Sequence, residues 1–327
     1  MNSSGQSRIT STQLFRGIRM VNRDRLLLKQ KGFKAEKTAG LLMIALPMLG
    51  FLLFSLIPIL ISFALSFVTL HSYDLSEAIP NGFKNFAFIF KDTRFWHSIK
   101  NTLFFSLNMP ICLILSLLIA TLLDKIKVLK KAFQTVFFLP YVLSGVAVAT
   151  MWKWMLDTNF GIVNDILVKF GLERVEWLTS EKTFMISMII ITVWSGMCMN
   201  IVFFLSALSN VDEGLYEAAE IDGAGPVRKF FSITLPMISP TTFYLLITGF
   251  IGTLQSFVIF QIMGGTTAGP NESGLTIVYY LYNMAFRDTI AYGMGYASAT
   301  AWVLGVFIIL LTVGNFILSK KWVHTDD

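Results

Sequence analysis

The chain has 327 residues, 54% hydrophobic and 14% charged, against about 25% charged in soluble domains, so it has too little polar surface to coat a water-soluble globule. Its mean hydropathy of +0.65 makes the bilayer the solvent for much of it. The net charge of +6 would suit nucleic acid in a soluble protein; in a membrane protein it reflects basic cytoplasmic loops, and no nucleic-acid partner is expected.

The two cysteines, Cys112 and Cys198, both sit in apolar runs, and His71, His97 and His324 are scattered. This inventory argues against a disulfide framework, a transition-metal cluster and a histidine-based triad. No catalytic residue, metal or cofactor is expected.

Residues 1–37 form a basic, polar tail. It reads as a topogenic anchor at an anionic leaflet, with a regulatory or partner-binding tail as the alternative. Residues 38–327 read as one membrane domain. Six runs of 18 or more residues lack Asp, Glu, Lys and Arg: 38–73, 101–123, 132–152, 183–211, 230–271 and 289–319. About 20 apolar residues rising ~1.5 Å each cross ~30 Å of hydrocarbon. The runs therefore predict spanning helices over about 42–68, 102–123, 134–155, 184–208, 241–263 and 297–318. Amides in lipid have no water partner, which imposes the helix, and the ~10-residue alternating segments of a β-barrel are missing. The class is all-α integral membrane with six transmembrane helices.

Pro47, Pro58 and Pro110 predict kinks. The first run exceeds one span and predicts tilt. It also follows 37 residues and is far longer than the usual roughly 7–15-residue signal-peptide core, so cleavage is not expected. Trp152 and Trp154 flank Lys153 and read as interfacial anchors. Val163, Ile166, Leu167 and Phe170 recur at helical spacing before Gly171, which predicts a helix on the outer surface of the bundle. The same helix could dock an extracellular solute-binding protein.

Basic residues set the orientation. With the N-terminus inside, segments 1–41, 124–133, 209–240 and 319–327 hold 17 Lys and Arg, and the outer segments hold 9. This bias places both termini in the cytoplasm of a multi-pass plasma or inner membrane protein. The loop 209–240 departs from it, with two basic and five acidic residues, which suggests a loop with its own task.

That loop reads as two short helices and a turn. The first covers about Glu213–Ile221 and ends at Asp222-Gly223, where glycine tolerates a left-handed conformation. Pro226 suits the first position of the second helix, which Pro236 is expected to stop. Phe230, Phe231, Ile233 and Leu235 can face apolar surface, with Arg228 and Lys229 facing water or phosphate. A hairpin lying on the membrane for packing alone would read the same way.

Glu217-Ala218-Ala219, Asp222-Gly223-Ala224, Phe230 and Ile233-Thr234-Leu235-Pro236 follow the spacing E-A-A-x-x-D-G-A-x-x-x-x-x-F-x-x-I-x-L-P. This resembles the "EAA" coupling loop of binding-protein-dependent ABC importer permeases, here at 209–236. Phe138-Leu139-Pro140, Gly161-Ile162-Val163-Asn164, Trp194 lying 23 residues before Glu217, Gly264-Gly265 and Tyr296-Ala297-Ser298-Ala299 resemble the carbohydrate-type members. The family's usual Gly-Gly-Pro departs here, because Thr266-Thr267-Ala268 precede Gly269-Pro270.

The resemblance implies a type I ABC importer permease fold. It implies a cytoplasmic ABC ATPase dimer, a second homologous permease subunit and an extracellular solute-binding protein as partners, besides membrane lipid. Glu217 would pair with a basic residue of the ATPase, and Gly223 would permit the sharp turn. Ala218, Ala219, Asp222 and Ala224 complete the implied coupling surface. On ATP binding the coupling loops would move together and switch access from inward to outward.

The chain has no G-x-x-x-x-G-K-[ST] loop, so ATP hydrolysis is expected on a separate subunit and the chain itself is not an enzyme. The spans as drawn hold no Asp, Glu, Lys or Arg apart from Lys153, which argues against a proton relay and favours a neutral solute such as a sugar. Gly249, Gly252, Thr253 and Ser256 share one helical face with Gln255 beside it, and Thr192, Ser195, Gly196 and Met199 share another. The resemblance implies that both faces lie where the maltose permease holds sugar. Helix packing is the competing role for such small and hydroxyl residues. The alternatives are a glycerol 3-phosphate importer and, further away, a channel or a secondary carrier, although no inverted repeat is evident.

Overall fold

Helices dominate the computed structural model of this chain, which describes residues 40–71, 74–126, 130–289 and 292–323. The tail 1–37 and His324 lie outside the described residues. The chain divides into two units, Met1–Ser62 and Phe63–Asp327.

The first unit contributes most of α1, the apolar helix Gly40–Leu65. Its turn widens to π geometry over Leu52–Leu56, where Ile57 N–H donates to the Leu52 carbonyl. Pro58 follows at once, and a proline ring crowds the carbonyl four residues back. The kink expected at Pro58 thus takes the form of a π-bulge, and the helix continues.

The second unit opens on a small ribbon. Strand β1 (Val68–Thr69) pairs antiparallel with β2 (Ile79–Pro80). Helix α2 (Lys84–Ile89) follows, and its Asn85 amide donates to the carbonyls of Ser66 and Val68, both at 2.9 Å. Helices α3 (Thr93–Phe105) and α4 (Asn108–Asp124) form the next span, broken at Ser106–Leu107. Pro110 explains the break, because its ring would meet the carbonyl of Ser106. The helix starts at Thr93 rather than near 102. Its first turns carry charge that the search for charge-free runs excluded: Arg94 pairs with Glu272 at 2.6 Å and Asp288 at 3.3 Å.

The third span is not the continuous helix expected over 134–155. Helices α5 (Lys130–Val142) and α6 (Gly145–Met155) meet at a bend of 102°. Pro140 removes one amide donor, and Ser144 turns extended (φ −58°, ψ 135°) before α6 restarts. Helix α7 (Ile162–Lys169) follows, anchored by the buried Asn164. The Asn164 amide nitrogen donates to Thr158 and Val175 carbonyls, and its oxygen accepts from Val175 N and Trp177 Nε1. Phe160 and Phe170 flank α7 and are exposed.

Helix α8 (Glu181–Ser209) is the long fourth span, close to its expected limits. A hairpin follows: α9 (Glu213–Ile221), then α10 (Pro226–Met237), which contains a π-turn at Phe230–Thr234. Helix α10 runs one residue past Pro236, and α11 (Ser239–Leu254) restarts at a bend of 65°. The fifth span, expected over 241–263, is split. Backbone breaks at Gln255–Phe257, and α12 (Val258–Gly264) follows as a separate helix. Thr276 Oγ1 donates to the Ser256 carbonyl at 3.1 Å, so the break keeps a hydrogen-bond partner. Helices α13 (Ile277–Phe286) and α14 (Gly293–Ser319) complete the chain. Counting each bent pair as one span, the described residues hold six.

Two apolar clusters form the core. One gathers Phe105, Phe184, Met188, Phe260 and Tyr280; the other gathers Met109, Ile201, Phe204 and Leu205. The Phe184 ring fills a socket made by Gly264, Gly269 and Gly274; a Cβ at Gly269 would come to 3.0 Å of it. Trp152 is half-buried and packs against this core, edge-on to Trp194 at 5.4 Å. Trp154 is exposed, and Lys153 donates to the Ile262 carbonyl.

The start of α14 is pinned to the ribbon: Met294 N–H donates to the Leu70 carbonyl at 2.8 Å. Gly293 has φ +79°, and a Cβ there would strike the Leu70 carbonyl. Replacing Gly293 with Val should cost at least about 1–3 kcal/mol from the left-handed conformation alone. A lower melting temperature of the purified protein in detergent is expected, whereas Gly305→Ala, with open space around it, should leave melting unchanged.

Candidate functional site

Helices α4, α5, α6, α8 and α11 surround a cavity of about 800 Å³. Of the expected path residues, Thr192, Ser195, Gly196, Gly249, Thr253 and Ser256 line it. Gln255 does not; it caps α11 and is exposed. No Asp, Glu, Lys or Arg is among the lining residues.

The glycines have a packing role as well. A Cβ at Gly249 would strike Met109 Sδ and Cε, and one at Gly196 would come to 3.1 Å of Cys112 Sγ. Both therefore let α4 lie close between α8 and α11. Most hydroxyls are satisfied locally. Thr192 donates to Met188 O at 2.7 Å, Ser195 to Thr192 O at 3.2 Å and Thr248 to Tyr244 O at 2.8 Å. Asn108 donates to Phe105 O and reaches Thr253 Oγ1 at 3.4 Å.

Sequence reasoning missed Asn108, Asn200, Tyr141, Tyr244 and Thr248 on this wall. Asn200 lies eight residues after Thr192 on the helical face already singled out, so extending that face by one turn would have found it. Tyr141 comes from the bent third span, whose fold no periodicity indicated.

The hairpin at the other pole is a stiff unit. The Asp212 carboxylate caps α9 by accepting from Gly214 N at 2.9 Å. Gly223 turns the chain at φ +73°, and Ala224 N–H closes the helix end on the Ala219 carbonyl at 2.9 Å. Tyr216 Oη and Thr234 Oγ1 share a hydrogen bond of 2.8 Å between the two limbs. Lys229 pairs with Glu220 and is only 15% exposed, so it does not face water as expected. The Lys229 ammonium holds the Glu220 carboxyl below the usual carboxylate range. The pair is therefore intact above that range and weakens as pH falls through the lowered value.

Glu217, Ala218, Asp222 and Gly223 stand on the exposed side, with Ala219 and Ala224 half-buried. Ile221 and Val227 extend this side as an apolar tip, 87% and 71% exposed. Beneath the hairpin, toward the ends of α4 and α8, lies a second cavity of about 780 Å³ lined by Asp124, Lys125, Glu213, Tyr216 and Lys229 among others.

Comparison with known proteins places this architecture. Residues 112–324 match the family described as binding-protein-dependent transport system inner membrane component. The lactose transport system permease protein LacF of Rhizobium radiobacter is 34% identical over 273 residues, 82% of this chain and 89% of the relative. The sn-glycerol-3-phosphate transport system permease protein UgpA of Yersinia pestis is 32% identical over 258 residues, 78% of this chain and 84% of the relative. A solved bacterial alginate ABC transporter, in complex with an alginate pentasaccharide-bound periplasmic protein, has a chain that superposes with a TM-score of 0.70 at 26% identity, covering 93% of this chain and 95% of that one. The six apolar spans, the hairpin and these likenesses agree, and the chain belongs to the family of binding-protein-dependent ABC importer permeases, multi-pass proteins of the inner membrane.

Proposed function

We propose that this chain is one of two permease subunits of an importer for a neutral sugar or oligosaccharide. The observation that carries this reading is the cavity: about 800 Å³, with a mostly apolar wall on which hydroxyls and carboxamides are set, bordered by aromatic rings and without a charged side chain. Hydroxyl-rich solutes need donors and acceptors but no counter-ion. An anionic phosphate calls for basic contacts, which this wall lacks, so the glycerol 3-phosphate reading would have to rest on the second permease.

In this reading an extracellular binding protein delivers the sugar, and both termini, with the basic tail 1–37, lie in the cytoplasm. The membrane domain 38–327 carries the path, and 209–236 is its coupling loop. A separate cytosolic ATPase dimer grips the hairpin. Glu217, which has no partner among the described residues, offers the charge for that grip, and Ile221 and Val227 offer apolar area. Two cross-links between the limbs make the hairpin rigid enough to pass on displacement. The substrate-path roles of Thr192, Ser195, Gly196, Gly249, Thr253 and Ser256 belong to the same proposal, with Gln255 outside the lining.

The test is uptake by the reconstituted complex, with its binding protein, of lactose, maltose, raffinose and arabinobiose against sn-glycerol 3-phosphate. Import of at least one saccharide is expected; import of the phosphate alone would overturn the substrate assignment. Glu217→Lys reverses the charge at the grip and should cut uptake about a hundredfold, in the range of a removed buried ion-pair partner. Membrane abundance, read by immunoblot, should stay at the wild-type level. Gly223→Val forces a β-branched residue into a left-handed turn at a cost of about 1–3 kcal/mol. It should lower sugar-stimulated ATP hydrolysis, measured as phosphate release, while Gly223→Asn should retain most of it.

A further inference from the structure

The geometry points to a sugar-ring subsite at the hairpin end of the cavity, formed by the Asn200 carboxamide with the rings of Tyr244 and Phe203. This deepens the proposed function and rests on it.

Asn200 sits in the interior of α8 and lines the cavity. Its Nδ2 donates to Cys112 Sγ at 3.3 Å, a weak acceptor. Among the described residues no nitrogen or oxygen takes the second amide hydrogen or the carbonyl oxygen. A carboxamide within a membrane span is costly unless protein, water or cargo satisfies it. Of the other polar groups on this wall, the Tyr141 and Ser256 hydroxyls are likewise open among the described residues, but each is a single hydroxyl, and several others have an accounting within the fold. Thr192, Ser195 and Thr248 return their hydroxyls to their own helices, and Asn108 is engaged by Phe105 and Thr253. Packing therefore explains those side chains and leaves Asn200 as the carboxamide of this wall with unused hydrogen-bonding capacity.

Tyr244 stands opposite on α11. Its ring lies 5.6 Å from that of Phe203, one turn beyond Asn200, at 57° between planes. Tyr244 is 52% exposed, and its hydroxyl also has no partner among the described residues. An aromatic face lining the same cavity as an open donor and acceptor suits a neutral pyranose or furanose: C–H groups lie on the ring, and its hydroxyls meet the carboxamide. Asn200 lies about 7 Å along α8 from Ser195, at ~1.5 Å per residue, so this subsite is separate from the outer hydroxyl group. The cavity of about 800 Å³ lies within the roughly 300–1,000 Å³ range of ligand pockets.

The test uses the full complex of this chain with its second permease and ATPase in nanodiscs, without binding protein. Binding of whichever panel saccharide the wild-type complex imports is titrated by saturation-transfer NMR. Asn200→Leu and Tyr244→Leu should each raise Kd about tenfold, the effect of one lost hydrogen-bonding group or one lost ring contact. Asn200→Gln and Tyr244→Phe, which keep a carboxamide and a ring, should stay within about threefold, the range of a modest side-chain change. Size-exclusion profiles check assembly of each variant, and either Leu variant alone suffices. Wild-type Kd in an assembled Leu variant, or no saturable binding to a wild-type complex that imports sugar, overturns the subsite and leaves the proposed function standing. A wild-type complex that imports no saccharide of the panel overturns the proposed function, and the subsite with it.

Discussion

A backbone amide in hydrocarbon has no water to turn to, and the rest of this structure follows from where that constraint is obeyed and where it is relaxed. Over α1, α8 and α14 the chain obeys it with uninterrupted apolar helix. It is relaxed at interior breaks, among them Leu143–Ser144 and Gln255–Phe257. Residues at both breaks line the cavity: Leu143 and Gly145 at one, Ser256, Phe257 and Val258 at the other. Irregular backbone at membrane depth is tolerated where it borders a polar space or finds a protein partner. The Thr276 hydroxyl on the Ser256 carbonyl is such a partner.

The same logic separates the polar side chains of the cavity wall. A hydroxyl can return its hydrogen to its own helix, so Thr192, Ser195 and Thr248 are compatible with packing and with solute alike. Small residues are likewise ambiguous, because Gly196 and Gly249 both admit α4 and both border the cavity. A carboxamide has more hydrogen-bonding capacity than a neighbouring turn can absorb. Asn164 shows what a fully used carboxamide looks like here, with four hydrogen bonds holding the loop around α7. Asn200 has a single thiol contact.

At the end of the bundle away from the hairpin, charge adds to apolar packing as a fastener. Arg94 holds Glu272 and Asp288, and Asp92 accepts from Tyr280 Oη at 2.6 Å. These ties clamp the first turns of α3 to the segment between α12 and α14. At the opposite pole the hairpin joins α11 through a π-turn and a 65° bend. A π-turn has longer-range backbone hydrogen bonds than an α-helix and is a frequent place for a functional joint. Under the proposed mechanism, displacement of α9 reaches the cavity wall through α10 and α11.

Much of this was legible before any coordinates. Exclusion of charge from hydrocarbon marked six spans, and the acidic, Gly-Pro punctuated loop marked the hairpin, its turn at Gly223 and its helix start at Pro226. These are local properties: each depends on a residue and its immediate neighbours along the chain. Some of the failures share one cause. The beginning of α3 at Thr93 and the packing of Trp152 depend on partners distant in sequence, whereas the 102° bend follows Pro140 and Ser144 and Lys229 is taken up by Glu220 nine residues away. Arg94 could enter a helix start because Glu272 and Asp288 receive it, and Trp152 is drawn against the core by Trp194. Hydropathy alone determined which segments enter the membrane; only tertiary structure decided which polar groups within them are satisfied, because a hydrogen bond needs a second group whose position the first does not encode.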